Sequence, residues 1–185
     1  TKEEEAIIEK LHQSFTSSEK LRGHIRSLLR HGCMYNIFNH NLLYHASIPL
    51  TKEGELKEVE LKPGLKLKGK ELMYQTGMLI RSAFQVPTDE EGEEERDYAI
   101  DYFLYLWCGP DSPLFDKDKM ATFERYFIAD KETHQEEKGY YFSMRDDEKV
   151  VDMILDEFGV EQPNRHIING HVPVHVVKGE NPIKA

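Results

Sequence analysis

The stretch that most constrains this chain runs from Asp146 to His171. Val150, Val151, Ile154, Leu155 and Phe158 recur at helical spacing, Asp146 and Asp147 stand at the N-terminal end, and Gly159 supplies a stop. That pattern predicts an amphipathic helix over 146–158. A loop holding Pro163 and Asn164 follows, then Ile167-Ile168-Asn169-Gly170-His171. The β-branched Ile pair suits a strand buried on both faces, and Gly170 is expected to let the backbone turn sharply and approach a ligand. Helix, loop and strand in this order form the last stage of an αβ unit, so the expectation is an α/β fold that delivers His171 to a strand's C-terminal end.

A second stretch has the same character. Asn41-Leu42-Leu43-Tyr44-His45-Ala46-Ser47-Ile48-Pro49-Leu50 reads as an apolar strand carrying His45 into a loop stopped by proline. Neutral imidazole is a common ligand for borderline transition metals, so two strand-end histidines suggest half of a metal site. The alternative is a pair of satisfied structural residues. His40, beside Asn39, belongs to the tip of a tight hairpin and reads as an exposed turn residue.

The 185 residues are enough for one domain with a real core. Lys+Arg 24 against Asp+Glu 34 gives a formal charge of −10, which argues against nonspecific binding to nucleic acid or to an acidic membrane surface. Cys33 and Cys108 lack CxxC spacing, so neither a disulfide framework nor a structural zinc site is expected, and a reducing cytosol fits best. Thr1-Lys2-Glu3-Glu4-Glu5 is acidic rather than a leader, and no apolar run approaches the ~20 residues that span a bilayer. A soluble, cytoplasmic protein is the expectation. Val174-His175-Val176-Val177 reads as a further strand with no partner after it, as in a piece of a longer protein.

The rest of the chain fills in around these stretches. A helix over 3–31, broken or recapped at Ser17-Ser18-Glu19, is predicted to stop at Gly32. Strands over Cys33–Phe38 and Leu42–His45 flank an Asn39-His40-Asn41 turn, and Leu56, Val59 and Leu61 before Pro63-Gly64 predict an extended excursion or hairpin. A helix over 69–84 and an acidic run over 88–95 lead to the aromatic helix Tyr98–Trp107, most simply a core or subunit contact. Lys117, Lys119 and Arg125, set among hydroxyl groups, are candidates for contact with an anion, although a structural role is at least as well supported.

Taken together, Ser18-Glu19-Lys20-Leu21, Asn41-Leu42-Leu43-Tyr44-His45, Ile48-Pro49-Leu50, Gly109-Pro110-Asp111-Ser112-Pro113-Leu114-Phe115, Phe123-Glu124-Arg125-Tyr126-Phe127 and Ile168-Asn169-Gly170-His171 occur in this order in the class 3, Firmicutes-type fructose-1,6-bisphosphatases. The chain resembles that family nearly end to end. The resemblance implies the C-terminal part of a calcineurin-like metallophosphatase fold, two β-sheets packed between helices, truncated at both ends and carrying a largely helical insertion over 64–150. It also implies two divalent metal ions, manganese by expectation, and hydrolysis of the 1-phosphate of fructose 1,6-bisphosphate in gluconeogenesis.

Residue by residue, His45 matches the family's lone histidine after an apolar strand and His171 its final Gly-His, two ligands of one ion. The Asp-x-His, Gly-Asp-x-x-Asp and Gly-Asn-His motifs are absent from these 185 residues, so the piece alone is expected to be inactive. Substrate recognition is a natural use for the insertion, with Lys119 and Arg125 as the phosphate contacts. There are departures from the family pattern. Ala46-Ser47 follow His45 where relatives have Gly, Asp116 stands where they tend to have Gly, and Pro173 takes the place of a further ligand, leaving His175 mainly structural. Two other readings compete: a noncatalytic regulatory or homo-oligomerisation module built on the aromatic helix, and a metallophosphatase acting on another phosphomonoester.

Overall fold

The first helical stretch breaks where Ser18 can cap a new helix. In the computed structural model, which describes residues 1–183, helix α1 spans Lys2–Thr16 and α2 spans Glu19–His31. The Ser18 hydroxyl accepts the Leu21 amide at 3.2 Å, satisfying one of the donors a helix start leaves unpaired, so the cap is Ser18 and not Ser17. Gly32 ends α2 with extended backbone. Neither helix buries a residue, and Ile7, Ile8, Leu11 and Phe15 of α1 are all exposed. Residues Thr1–Cys33 form one compact unit and the chain from Met34 onward forms another.

The second unit begins with an antiparallel hairpin of β1 (Tyr35–Phe38) and β2 (Asn41–Tyr44). Asn39 and His40 turn it with φ of 51° and 60°, the two successive positive values a two-residue hairpin demands. The strands are shorter than the sequence pattern suggests, and His45 lies just past the end of β2. A second hairpin, β3 (Val59–Lys62) and β4 (Leu65–Leu67), turns at Pro63-Gly64. Helices α3 (Gly69–Ser82), α4 (Glu90–Cys108), α5 (Thr122–Phe127), α6 (Tyr141–Met144) and α7 (Glu148–Phe158) follow, and β5 (His166–Asn169) closes the series.

Strand β5 lies parallel to β2, giving a three-stranded sheet of order β1-β2-β5 in which Leu42 faces Ile167 and Tyr44 faces Asn169. Leu42, Tyr44, Ile48 and Met73 pack with Tyr141 and with Ile154, Leu155 and Phe158 of α7. Truncating a fully buried residue such as Leu42 or Phe158 to Ala would cost about 2–5 kcal/mol. Asp147 caps α7 through the Lys149 and Val150 amides, and Gly159 (φ 73°) ends it in a left-handed turn.

Two expectations fail here. The Ile pair is not buried on both faces: Ile167 packs into the core, but strand alternation sends Ile168 to the opposite face, where it is 52 % exposed. The reason is that the core built on α7 packs against the Ile167 face of β5, and Ile168 lies on the other face. Nor is 174–177 a strand. No strand among the described residues pairs with the segment, which turns on itself as a 3-10 helix over Val176–Lys178, the Lys178 and Gly179 amides donating to the His175 and Val176 carbonyls.

A second core joins β3 to α3 and α4 through Leu61, Leu72, Leu79, Ala99, Tyr102 and Leu106. The aromatic helix is thus core on one side only, and Ile100, Leu104 and Trp107 are exposed on the other. Met73 and Tyr141, both within 64–150, belong to the first core, so this segment shares its interior with the sheet. No helix among the described residues is long and apolar enough to cross a membrane.

Candidate metal centre at the His45–His171 pair

Parallel pairing of β2 and β5 puts the C-terminal ends of both strands at the same end of the sheet, and a histidine follows each, His45 directly after β2 and His171 one residue beyond the end of β5. The Gly170 amide donates to the His45 carbonyl at 2.9 Å, tying the two exits together. The sharp conformation falls on His171 itself, at φ 64°, rather than on Gly170. For a residue with a β-carbon such a φ costs roughly 1–3 kcal/mol, so the surroundings must hold it. They include Phe115 and Phe142, whose ring centroids lie 6.3 and 6.4 Å from that of His171. Beneath the loop, Asn169 Nδ2 donates to the Ala46 carbonyl at 2.9 Å and to the Tyr141 hydroxyl at 3.1 Å. Tyr44 donates to that same hydroxyl at 2.7 Å.

The outcome is a close pair of imidazoles. Nδ1 of His171 stands 3.2 Å from Nε2 of His45, with the rings at 78° to one another. A first-row divalent ion holds imidazole nitrogens at about 2.0–2.1 Å, so two ligands of one ion stand about 3 Å apart, and the pair meets that requirement. Burial, then His45, Lys117 and Lys138, hold His171 below the usual imidazole value, favouring the neutral form that ligates a metal. Among the described residues no third His, Cys, Asp or Glu joins the pair, and His175 does not reach it. Among the described residues the pair by itself falls short of a complete ligand set for a metal.

Of the basic candidates, Lys117 and Arg125 meet at Glu136. Glu136 receives Lys117 Nζ at 2.9 Å, the Ala121 amide at 2.9 Å and Arg125 Nη2 at 3.2 Å. Burial works to raise its carboxyl, but the Lys117 and Ala121 hydrogen bonds and the two cations prevail and hold it at about 2. Arg125 also donates to the His134 carbonyl, whereas Lys119 is exposed and forms no ion pair among the described residues. Tyr141 and Phe142 sit in the apolar run Tyr140-Tyr141-Phe142, which reads as a short apolar anchor, and nothing local marks their hydroxyl or ring, or the Phe115 ring, as what will meet a distant histidine loop.

The sequence profile of the Firmicute fructose-1,6-bisphosphatase family matches residues 1–185, and the chain belongs to that family. It is 61% identical over 185 residues to a class 3 fructose-1,6-bisphosphatase of Phocaeicola vulgatus, covering 100% of this chain and 27% of that protein. Similar class 3 relatives occur in Bacteroides thetaiotaomicron (53% identical, 100% of this chain, 27% of the relative) and Porphyromonas gingivalis (54%, 100% and 28%). The chain thus spans little more than a quarter of the length of these relatives. No solved structure matches it.

Proposed function

We propose that this chain is part of a metal-dependent fructose-1,6-bisphosphatase of the calcineurin-like metallophosphatase class, a cytoplasmic enzyme that hydrolyses the 1-phosphate of fructose 1,6-bisphosphate in gluconeogenesis. The observation that carries the reading is the 3.2 Å approach of His171 Nδ1 to His45 Nε2 at the shared end of two parallel strands. A pair of divalent cations, manganese by expectation, supplies Lewis acidity toward the phosphoryl oxygens when bound. His45 and His171 would hold one ion through neutral nitrogens, Asn169 fixes the loop that orients His171, and Phe115 and Phe142 pack against its ring. Residues 64–150 serve substrate recognition in this reading, with Lys119 and Arg125 as phosphate contacts.

In the full-length protein, His45→Ala and His171→Ala should each lower bound manganese, measured by mass spectrometry of the metal, and reduce phosphate release from fructose 1,6-bisphosphate by at least a hundredfold. Circular dichroism should stay unchanged, since both rings lie at a loop surface. The 185-residue piece alone should release no phosphate, because two neutral ligands without a bridging carboxylate cannot clamp two ions. Normal metal content and activity in both variants would remove the metal reading.

A further inference from the structure

A phenol with only 2 % of its residue exposed must find hydrogen-bond partners inside the protein, and Tyr141 of α6 finds two. Its hydroxyl accepts from Tyr44 Oη at 2.7 Å and from Asn169 Nδ2 at 3.1 Å. Tyr44 is the last residue of β2 and Asn169 the last of β5, and the two are partners in the parallel register. One oxygen atom therefore ties together the strand ends that lead out to His45, next after Tyr44, and to His171, two residues beyond Asn169. Asn169 extends the tie by donating to the Ala46 carbonyl at 2.9 Å, on the far side of His45. Just before α6, the Gly139 amide donates to the Asp116 carbonyl at 2.8 Å, which anchors the short helix that presents the phenol.

We infer that Tyr141 is a positioning residue for the metal centre: by gathering Tyr44 and Asn169 on one hydroxyl it sets the spacing of His45 and His171. This rests on the proposed metal reading of the histidine pair. Two ligand nitrogens 3.2 Å apart allow little error, because an ion bound at about 2.0–2.1 Å from each loses a bond when either ring swings away. His171 also holds a φ of 64°, which its loop must maintain before an ion enters. A tie made inside the protein does this in advance, as the partners behind metal ligands do. A side chain from 64–150 then acts on the metal centre itself, a role separate from contact with phosphate.

The test uses the full-length protein, stripped of metal and titrated with Mn2+, the free ion being read by electron paramagnetic resonance. Tyr141→Phe keeps the ring and removes only the hydroxyl. It should weaken Mn2+ binding by about tenfold at the site that His171→Ala also impairs. Phosphate release from fructose 1,6-bisphosphate should need correspondingly more Mn2+, and kcat should return to within about threefold of wild type once the ion saturates. On an Asn169→Ala background, where the bond to Asn169 is already gone, the same substitution should change Mn2+ affinity by less than about threefold. Ile154→Val, a truncation of a fully buried residue of α7, lowers stability without touching the tie and should leave Mn2+ affinity unchanged. Wild-type affinity in Tyr141→Phe, an equal loss in Ile154→Val, or the whole tenfold loss on the Asn169→Ala background would overturn the inference. If His45→Ala and His171→Ala bind Mn2+ as the wild type does, the metal reading falls, and this inference with it.

Discussion

The carboxylate of Asp116 occupies the space that a β-carbon on residue 139 would need, while the Gly139 amide donates to the Asp116 carbonyl at 2.8 Å. Asp116 is 2 % exposed and takes φ of 51°, a left-handed conformation in which glycine would be unstrained. One side chain and one bare backbone therefore share a single space, each requiring the other. In Gly139→Ala the new methyl group should overpack this space and destabilise the protein by about 1–3 kcal/mol. On an Asp116→Gly background the same change should cost little, giving a coupling of roughly 1–2 kcal/mol in a urea-denaturation double-mutant cycle. An additive cycle would show that the two positions do not compete.

Asp116 also makes stability depend on pH. Burial pushes its carboxyl up to about 6; Ser47 and Lys57 act against the shift and Asp111 adds to it. Its Oδ2 has no hydrogen-bond partner. Because the folded value is raised above the ordinary 3.8, the folded state favours the protonated acid. The associated stability is complete below the ordinary value and is lost as pH rises through about 6. Asp116→Asn, neutral at every pH and tolerant of positive φ, should therefore stabilise the protein by about 1–3 kcal/mol at pH 8 and by much less at pH 4.5. An equal gain at the two pH values would place the effect in packing rather than in charge.

What the sequence conveys follows from the range of the forces involved. The period of Val150, Val151, Ile154, Leu155 and Phe158 is a local property of α7, so that helix and its glycine stop are legible. The convergence of His45 and His171 is legible because each follows a short apolar strand, and parallel pairing brings matching strand ends together. The exposure of Ile168 is not, since β-branching states a preference for strand and says nothing about which faces of that strand another layer will cover. Val174–Val177 fails because an apolar β-branched run does not state whether a strand will be there to pair with it. Tyr141, Phe115 and Phe142 reach the histidine loop from segments far away in sequence, and no periodicity records such a meeting. Glu136 is the clearest case: it lies in a charged run that reads as solvent-exposed, yet it pairs with Lys117 and Arg125 and has a side chain only 10 % exposed.

That pairing bears on whether Arg125 meets substrate. Its side chain is 50 % exposed, and Glu136 keeps Lys117 and the Ala121 amide when Arg125 is removed, so no carboxylate is left uncompensated. Arg125→Ala should accordingly cost no more than about 1 kcal/mol of stability, as a partly exposed ion pair does. If the open side of the guanidinium grips a phosphate, the full-length variant should lose about ten- to hundredfold in kcat/KM on fructose 1,6-bisphosphate, the worth of a charge-assisted contact. Para-nitrophenyl phosphate, too small to bridge from the histidine pair to this side chain, should be hydrolysed almost as before. A second possibility has its own signature. If Arg125 serves to fix the loop through Glu136 and the His134 carbonyl, activity on both substrates should fall together and the melting temperature should drop. Parallel losses of that kind would sink the substrate contact and leave Arg125 as part of the scaffold.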